Sequence, residues 1–255
     1  MISIAAGDFL LPFIFGEIMR TIITLIYVVI FLIISLPIMG IGWLMTRKDH
    51  HRLDRFYLRF IQWGFHCVEW LSGSDVTVEG LENIPTDRPV LYIGNHQSFY
   101  DIVVTYGRLP DVTGFIAKQS VFKVPVLGGW MKQLYCIGLD RSSLRSGMDM
   151  LLKAIDEIKN GISIFIYPEG TRSKDGQVHD FHPGSFKIAT KAKCPIVPVA
   201  VSGTRDILEY HFPNVKKSHV TLKFGKPIET KDMSKDEQKA LPERVRDEII
   251  AMKTA

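Results

Sequence analysis

The chain has 255 residues, of which 31 are basic and 27 are acidic, so its formal net charge is +4. This balance is too mild to indicate a nucleic-acid-binding protein, and no basic helix or zinc-finger spacing adds to it. The three cysteines, Cys67, Cys136 and Cys194, are far apart and form no C-x-x-C pair. The sequence therefore predicts neither a metal site nor a disulfide framework, and a reduced, cytosolic setting suits the main domain.

The first long segment of the chain is apolar. Residues 21–46, TIITLIYVVIFLIISLPIMGIGWLMT, contain no charged residue. As a helix they would be about 39 Å long, which exceeds the roughly 30 Å hydrocarbon core of a bilayer. The segment is too long for the core of a signal peptide and lacks a convincing cleavage site. We therefore predict a membrane helix, which Pro37, Gly40 and Gly42 bend near its end.

The next segment, residues 52–73, is amphipathic. Its charged and polar residues recur every three or four positions, on one helical stripe: Arg52, Arg55, Arg59, Gln62, His66 and Glu69. A broad aromatic face with basic residues near its start is typical of a helix in the bilayer interface. The alternative is a helix that packs this face on a soluble core. We assign residues 1–73 to an N-terminal hydrophobic two-helix membrane element and residues 74–255 to a separate α/β domain.

From residue 75 onward the pattern is that of a soluble α/β domain. Short apolar runs predict seven strands, at residues 75–80, 89–94, 114–118, 135–140, 162–168, 195–203 and 220–228. Helices are predicted between several of them, at residues 143–159, after Pro183, and near residues 242–252. Strands that alternate with helices favour a mostly parallel central sheet flanked by helices. Ligand sites in such sheets gather at the carboxyl ends of the strands.

The stretch YIGNHQSFYD, residues 92–101, places His96 and Asp101 five positions apart. Residues with this spacing share a face of neither a helix nor a strand. They can meet only if the chain changes structure between them, and Asn95, Ser98 and Asp101 are residue types that start turns and cap helices. A carboxylate that holds an imidazole in one tautomer leaves its other nitrogen available as a base. When the stretch is taken alone, a histidine that satisfies a turn hydrogen bond is the simpler interpretation.

A second stretch, IFIYPEGTRS at residues 164–173, also follows an apolar run. Pro168 and Gly170 end the predicted strand, and Gly170 lets the backbone approach a ligand closely. Arg172 offers a planar, two-pronged donor that suits a phosphate monoester. A surface turn that holds a salt bridge is the better explanation of this stretch in isolation.

Together the two stretches resemble the 1-acylglycerol-3-phosphate acyltransferases, the PlsC-like lysophosphatidic acid acyltransferases. That family carries N-H-x-x-x-x-D and, further along the chain, P-E-G-T-R, which correspond here to residues 95–101 and 168–172. Its intervening block is similar to residues 114–130, and its final proline-containing strand is similar to residues 195–201. Each block alone is a weak signal, whereas four blocks in the family's order are a strong one.

The resemblance implies a fatty acyl transfer from a thioester to a glycerolipid hydroxyl, without a covalent enzyme intermediate. It implies that His96 is the general base, a role that contributes about 10²–10⁴-fold to such reactions. Asp101 then orients His96 and stabilises its cation. Ser98 is expected to be a turn residue and not a nucleophile. Backbone N–H groups near the first motif are expected to stabilise the oxyanion of the donor.

The resemblance also implies which residues hold the acceptor. A lysophospholipid carries a phosphate, for which Lys118, Arg172 and Thr171 are the predicted binding residues. Glu169 and Gly170 are the predicted substrate-orienting residues. Glu169 is expected to orient Arg172 or the glycerol backbone, and Gly170 to permit the close approach of the ligand.

The predicted reaction acylates the sn-2 hydroxyl of 1-acylglycerol 3-phosphate, which is lysophosphatidic acid, to phosphatidic acid in phospholipid biosynthesis. The donor is acyl-CoA or acyl carrier protein, and no cofactor or metal is predicted. Two alternatives stay open. The acceptor could be glycerol 3-phosphate or another lysophospholipid, or the chain could be a non-catalytic lipid-binding membrane module. A metal-dependent hydrolase built on His96, Asp101 and Glu169 is disfavoured, because too few histidines lie near them.

The predicted partners are membrane phospholipids, lysophosphatidic acid and the acyl donor, and nucleic acid is not among them. Five basic residues follow the apolar run: Arg47, Lys48, Arg52, Arg55 and Arg59. They predict that the catalytic domain lies on the cytoplasmic face of the cell membrane. The family resemblance favours a two-helix element seated in one leaflet over a helix that crosses the bilayer.

Overall fold

The N-terminal part of the chain forms two helices. The computed structural model describes residues 7–45 and 50–254. Three residues that the sequence analysis used lie outside these ranges: Thr46, Arg47 and Lys48. Helix α1 spans Gly7–Met45, and helix α2 spans Asp54–Ser72 after a short 3-10 turn at His50–Leu53. Among the described residues, one segment is long and apolar enough to cross a membrane, Gly16–Met45. The predicted element of two hydrophobic helices thus contains one apolar helix and one amphipathic helix.

The rest of the chain builds a seven-stranded sheet. Its strands are β1 (Asp75–Glu79), β2 (Leu91–Gly94), β3 (Thr113–Lys118), β4 (Ile137–Leu139), β5 (Ser163–Ile166), β6 (Ile196–Ser202) and β7 (His219–Phe224). Their order across the sheet is β1-β7-β6-β2-β5-β3-β4. Strands β6, β2, β5, β3 and β4 are parallel, while β7 runs antiparallel to β6 and parallel to β1. The prediction of a mostly parallel sheet is confirmed.

Helices cover both faces of this sheet. They are α3 (Tyr100–Tyr106), α4 (Leu127–Gln133), α5 (Leu144–Lys159), α6 (Pro183–Ala192) and α7 (Lys235–Thr254). Side chains of α2, α3 and α4 form one core cluster with the sheet, and those of α5, α6 and α7 form a second. Alternate strand residues face opposite layers, so Tyr92 belongs to the first cluster and Leu91 and Ile93 to the second. Such double burial explains why β2 reads as a continuous apolar run.

One stripe of α1 carries polar side chains that face the rest of the protein. Glu17, Thr21 and Ser35 are buried. Thr21 accepts a hydrogen bond from the N–H of Val215 at 2.7 Å, and Ser35 accepts one from the indole N–H of Trp130 at 2.8 Å. From residue 17 to residue 35 the helix rises about 27 Å. Helix α1 is therefore fastened to the α/β domain at points that span about 27 Å of its length.

Helix α2 packs one face on the sheet and exposes another. Buried residues of α2 include Tyr57, Leu58 and Ile61. Three aromatic side chains spaced seven residues apart are 52%, 58% and 79% exposed: Phe56, Trp63 and Trp70. The alternative of packing on the soluble core is therefore correct for one face of α2. The exposed aromatic stripe retains the character of an interfacial helix.

The polar stripe predicted for α2 divides into two parts. Arg52, Arg55 and Arg59 are exposed at its start. Near its end, Gln62 donates to the carbonyl of Leu109 at 2.8 Å, and the buried Glu69 pairs with Arg108. The second part of the stripe thus fastens α2 to the segment after α3, because a buried carboxylate needs a partner.

The carboxyl ends of four adjacent parallel strands form one edge of the sheet. In spatial order they are β6, β2, β5 and β3. The first predicted motif follows β2, the second follows β5, and Lys118 is the last residue of β3. Because neighbouring strands are about 4.8 Å apart, these segments lie close to one another. The fold therefore brings both motifs to the edge where sites of parallel sheets are found.

Candidate active site

The turn that carries His96 is fastened to the neighbouring strand. β2 ends at Gly94, and the buried side chain of Asn95 then bonds to the backbone of Val201 in β6. Its amide donates to the carbonyl of Val201 at 2.9 Å, and its oxygen accepts from the N–H of Val201 at 2.9 Å. The side chain of Asn95 thus replaces a backbone hydrogen-bonding partner for Val201 where β2 leaves the sheet.

His96 and Asp101 are in hydrogen-bond contact, although five residues separate them. Nδ1 of His96 lies 2.8 Å from Oδ2 of Asp101, which is in the first turn of α3. Asp101 is fully buried, whereas the His96 side chain is 16% exposed. Because the carboxylate accepts the proton on Nδ1, Nε2 carries a lone pair and can act as a base.

Other donors hold Asp101 in one orientation. Oδ2 also accepts the backbone N–H groups of Gln97 at 2.6 Å and Ser98 at 2.8 Å. Oδ1 accepts the hydroxyl of Thr204, from the segment after β6, at 2.5 Å. The carboxylate therefore cannot rotate away from His96 without breaking several hydrogen bonds, which fixes the tautomer of the imidazole.

The imidazole of His96 lies flat on an aromatic ring. The ring of Tyr167, just after β5, is stacked on it with a centroid distance of 4.2 Å and an interplanar angle of 16°. Burial raises the pKa of the Tyr167 hydroxyl well above its usual range, and the negative charge of Asp101 acts in the same direction. Tyr167 is therefore a neutral aromatic ring that limits the orientations of the His96 imidazole.

Glu169 joins the second motif to the first. Its Oε1 accepts the backbone N–H of His96 at 2.8 Å, and its Oε2 accepts that of His179 at 3.2 Å. Burial raises the pKa of the Glu169 carboxyl, and these two hydrogen bonds oppose the shift. Glu169 thus positions the backbone of the base, a role that the sequence analysis did not assign to it.

Arg172 is held by a carboxylate that the sequence analysis did not identify. Nη1 of Arg172 lies 3.0 Å from Oε1 of Glu209, and its guanidinium lies 3.8 Å above the ring of Phe99. The expectation that Glu169 orients Arg172 is wrong, since Glu169 is directed at backbone N–H groups instead. Of the three guanidinium nitrogens of Arg172, only Nη1 has a hydrogen-bond partner among the described residues. Its side chain is 38% exposed, so the remaining guanidinium nitrogens can address a ligand.

The backbone N–H groups of the first motif are already used within the protein. Those of residues 96–99 donate to carboxylates, and that of Tyr100 donates to Oγ of Ser98. Those of the next two residues donate to backbone carbonyls. The N–H groups of residues 96–102 are therefore not free to stabilise the donor's oxyanion, which leaves that expectation to other N–H groups near the motif. Ser98 is buried and donates its hydroxyl to Glu209 at 2.5 Å, which agrees with a turn residue.

The other predicted residues lie around the same edge with fewer contacts. Lys118 is exposed, and its charge contributes to the lowered pKa of Asp140, after the larger effect of hydrogen bonds from Ser142. It ends β3, two strands from β2, and so about 10 Å from the first motif. Thr171 is exposed. Gly170 has a φ of 75°, which other residue types rarely adopt, so the turn itself requires this glycine.

Three side chains of the site were missed by the sequence analysis: Tyr167, Thr204 and Glu209. Tyr167 directly precedes the second motif, and its aromatic character was the available signal. Thr204 and Glu209 lie 103 and 111 residues beyond their partners Asp101 and Ser98, in an irregular segment after β6. Polar residues in such segments have no periodic pattern that would distinguish them from solvated loop residues.

The arrangement provides a histidine base, a buried carboxylate that fixes it, and an arginine nearby. Within residues 7–45 and 50–254, no group of three or more His, Cys, Asp or Glu side chains could hold a metal ion. The site thus has the parts needed to deprotonate a hydroxyl on an acceptor that carries an anionic group. The hydroxyls of Ser98 and Thr204 are donated to Glu209 and Asp101, so neither is paired with His96 as an activated nucleophile would be.

Comparison with known proteins identifies the kind of transfer. A family model described as acyltransferase matches residues 75–202, and this chain belongs to that family. It is 37% identical over 163 residues to a chloroplastic 1-acyl-sn-glycerol-3-phosphate acyltransferase of Brassica napus, across 64% of this chain and 45% of the relative. It is 33% identical to the 1-acyl-sn-glycerol-3-phosphate acyltransferase of Saccharomyces cerevisiae, across 73% and 62%. The chain therefore spans about half to two thirds of the length of these relatives.

A solved structure matches nearly the whole chain. The crystal structure of the 1-acyl-sn-glycerophosphate (LPA) acyltransferase PlsC from Thermotoga maritima aligns with a TM-score of 0.75 at 28% identity. The alignment covers 94% of this chain and 99% of that one, so it includes the N-terminal helices. The family predicted from the two motifs is confirmed.

Proposed function

We propose that this chain acylates the sn-2 hydroxyl of 1-acylglycerol 3-phosphate to form phosphatidic acid, with acyl-CoA or acyl carrier protein as the thioester donor. The observation that carries this proposal is the hydrogen bond between His96 and the buried Asp101 at the carboxyl edge of the sheet. The names of the matched acyltransferases support the choice of acceptor.

In the proposed reaction, Nε2 of His96 removes the proton of the acceptor hydroxyl as its oxygen attacks the thioester carbon. The new carbon–oxygen bond forms an ester, and the carbon–sulfur bond breaks. The proton then passes to the departing thiolate, so the histidine returns to its neutral form. Asp101 offsets the positive charge that the imidazole carries in between.

The phosphate of the acceptor is assigned to Arg172, with Lys118 and Thr171 as further contributors. Arg172 is supported by its position, because Glu209 and Phe99 hold it at the same edge as His96. Guanidinium nitrogens that Glu209 leaves available can form a two-pronged contact with phosphate. Gly170 contributes the turn that directs Arg172 towards this edge, and Glu169 supports the backbone of the base.

We also propose that the chain is attached to the cytoplasmic face of the cell membrane through one leaflet. Helix α1 exposes apolar side chains along its length, for example Leu25 and Ile33, while its polar stripe is used by the α/β domain. Because the α/β domain occupies one stripe of α1, we infer that only the apolar face of the helix meets lipid. The exposed aromatic stripe of α2 adds a second apolar contact.

Labelling from each face of sealed vesicles tests this attachment. A cysteine in place of Ser3, in a variant without the three native cysteines, should react only from the face that carries the catalytic domain. Labelling only from the opposite face would establish a crossing helix. Alkaline carbonate should not release the protein, because the apolar surface of α1 stays in lipid.

Activity assays decide the reaction. Purified full-length protein in detergent is supplied with labelled lysophosphatidic acid, other lysophospholipids or glycerol 3-phosphate, together with acyl-CoA or acylated carrier protein. We expect phosphatidic acid from lysophosphatidic acid at the highest kcat/KM. A higher kcat/KM for glycerol 3-phosphate or for another lysophospholipid would show that this compound, and not lysophosphatidic acid, is the preferred acceptor. Binding of these lipids without any turnover would favour the non-catalytic module.

A further inference from the structure

One carboxylate at the edge of the site contacts both motifs. Glu209 follows the 3-10 turn Thr204–Asp206 after β6. Its Oε2 accepts the hydroxyl of Ser98 at 2.5 Å, and its Oε1 accepts the backbone N–H of Phe99 at 2.9 Å. The same Oε1 lies 3.0 Å from Nη1 of Arg172. Glu209 is thus the side chain through which the turn of His96 meets the loop of Arg172.

The contacts of Glu209 leave the binding edge of Arg172 available. The carboxylate engages Nη1 alone, and the ring of Phe99 covers one face of the guanidinium at 3.8 Å. An arginine held at one nitrogen and one face has lost most of its rotational freedom. Less entropy is then lost when its remaining nitrogens bind an anion.

We propose that Glu209 is a positioning residue that fixes Arg172 for the phosphate of the acceptor and so sets the affinity for that substrate. The inference rests on the proposed function, because it takes Arg172 as the phosphate-binding residue. Glu209 acts through Arg172 and the turn of Ser98, and it does not touch the reacting atoms.

The pattern of hydrogen bonds argues against Glu209 as a lock that occupies the phosphate site. Ser98 and Phe99 hold the carboxylate in place independently of Arg172. Glu209 can therefore keep its position when substrate binds, and it need not be displaced. A lock would have to leave, at the cost of two further hydrogen bonds.

The substitution Glu209→Gln removes the negative charge and keeps nearly the same side-chain shape. A glutamine can still accept the N–H of Phe99 and donate to Oγ of Ser98, so the turn should stay folded. It loses the ionic contact with Arg172. We expect the KM for lysophosphatidic acid to rise roughly tenfold, the scale of one charge-assisted hydrogen bond. The donor KM and kcat should stay within about twofold, and Tm should be unchanged.

Three comparisons sharpen the experiment. Glu229→Gln removes an exposed ion pair with Arg88, away from the site, and should leave all constants unchanged. Glu209→Asp keeps the charge and should recover part of the lost affinity. In an Arg172→Lys background, Glu209→Gln should add little, because the two residues act as one unit.

Several results would overturn the inference. If the acceptor KM of Glu209→Gln were unchanged, Glu209 would have no positioning role. If that KM were lowered, Glu209 would instead be a lock that competes with the phosphate for Arg172. A fall in kcat with a lowered Tm and an unchanged KM would mark a purely structural residue. The same variants are also tested by equilibrium binding of lysophosphatidic acid in micelles. A weakened binding in Glu209→Gln supports positioning even if the wild type fails to acylate this lipid, in which case the proposed function alone fails.

Discussion

The substitution Asp101→Asn tests the contribution of the carboxylate charge to the proposed catalytic pair. In the structure Oδ2 of Asp101 faces three donors, which are Nδ1 of His96 and the N–H groups of Gln97 and Ser98. If the NH₂ group of an asparagine pointed towards these three donors, it could accept no hydrogen bond from them. Its oxygen should therefore occupy the position of Oδ2, and its amide should face the hydroxyl of Thr204, which can accept. The imidazole keeps its tautomer in this variant.

The expected loss of activity follows from that orientation. What disappears is the charge assistance to the imidazolium, a contribution of about 1.5–3 kcal/mol for a hydrogen bond to a charged group. At about 1.36 kcal/mol per factor of ten, kcat should fall roughly 10- to 150-fold. In catalytic triads, where the amide imposes the wrong tautomer, the same change costs about 10⁴-fold.

The measurement is kcat at saturating donor and acceptor, with Tm recorded for each variant. Asp101→Ala is the companion variant, because it leaves two buried N–H groups without an acceptor and should lower Tm as well as kcat. If Asp101→Asn kept more than about half of the parental kcat, the charge would have no catalytic role. If its kcat fell by about 10⁴-fold, as in catalytic triads, the argument from the tautomer would be refuted.

Three further predictions concern the same edge. His96→Ala should lower acyl transfer at least about 10²-fold without unfolding, and activity above about 1% would contradict the general-base role. Arg172→Lys should raise the acceptor KM and leave the donor KM unchanged, since lysine loses the two-pronged contact. A rise in the donor KM alone would assign Arg172 to the donor's phosphate. The raised pKa of Glu169 means that its contribution to stability is fully present below the usual carboxyl range and lost as pH rises through the shifted pKa. In thermal unfolding across acidic to neutral pH, the wild type should therefore lose stability relative to Glu169→Gln as pH rises. An opposite or absent trend would show that the hydrogen bonds to Glu169 outweigh its burial.

The elements and the contact between His96 and Asp101 could be predicted because their signals are local. The strands are apolar runs bounded by turn residues, and each of the seven falls within or beside its predicted range. His96 and Asp101 are joined by a turn that the intervening residues encode, so their contact needed no knowledge of the rest of the fold. Arg172 was located for a similar reason, since its motif directly follows a predicted strand.

The partners of these residues could not be predicted, because distant parts of the chain supply them. Thr204 and Glu209 come to the site only through the pairing of β6 with β2, which periodicity does not specify. Distant partners also explain why the sequence did not show that the N–H groups of this turn are already hydrogen-bonded. Residues 95–101 alone offer no acceptor that the sequence would assign to the N–H of Phe99. Its acceptor in the structure is Glu209, which lies 110 residues further along the chain.

The docking of α1 connects the membrane to the site. A carboxylate in the hydrocarbon of a bilayer is costly, yet Glu17 lies within the apolar helix. Its oxygen is 3.3 Å from Nζ of Lys216, in the segment before β7, so the charge has a partner in the α/β domain. Thr21 and Ser35 are likewise bonded to that domain at their own levels of the helix. These contacts hold α1 against the α/β domain at points that span about 27 Å of the helix. Under the proposed one-leaflet attachment, the depth of α1 in the lipid sets the height of the edge that carries His96. A flexible tether could not do this for the lipid acceptor proposed above.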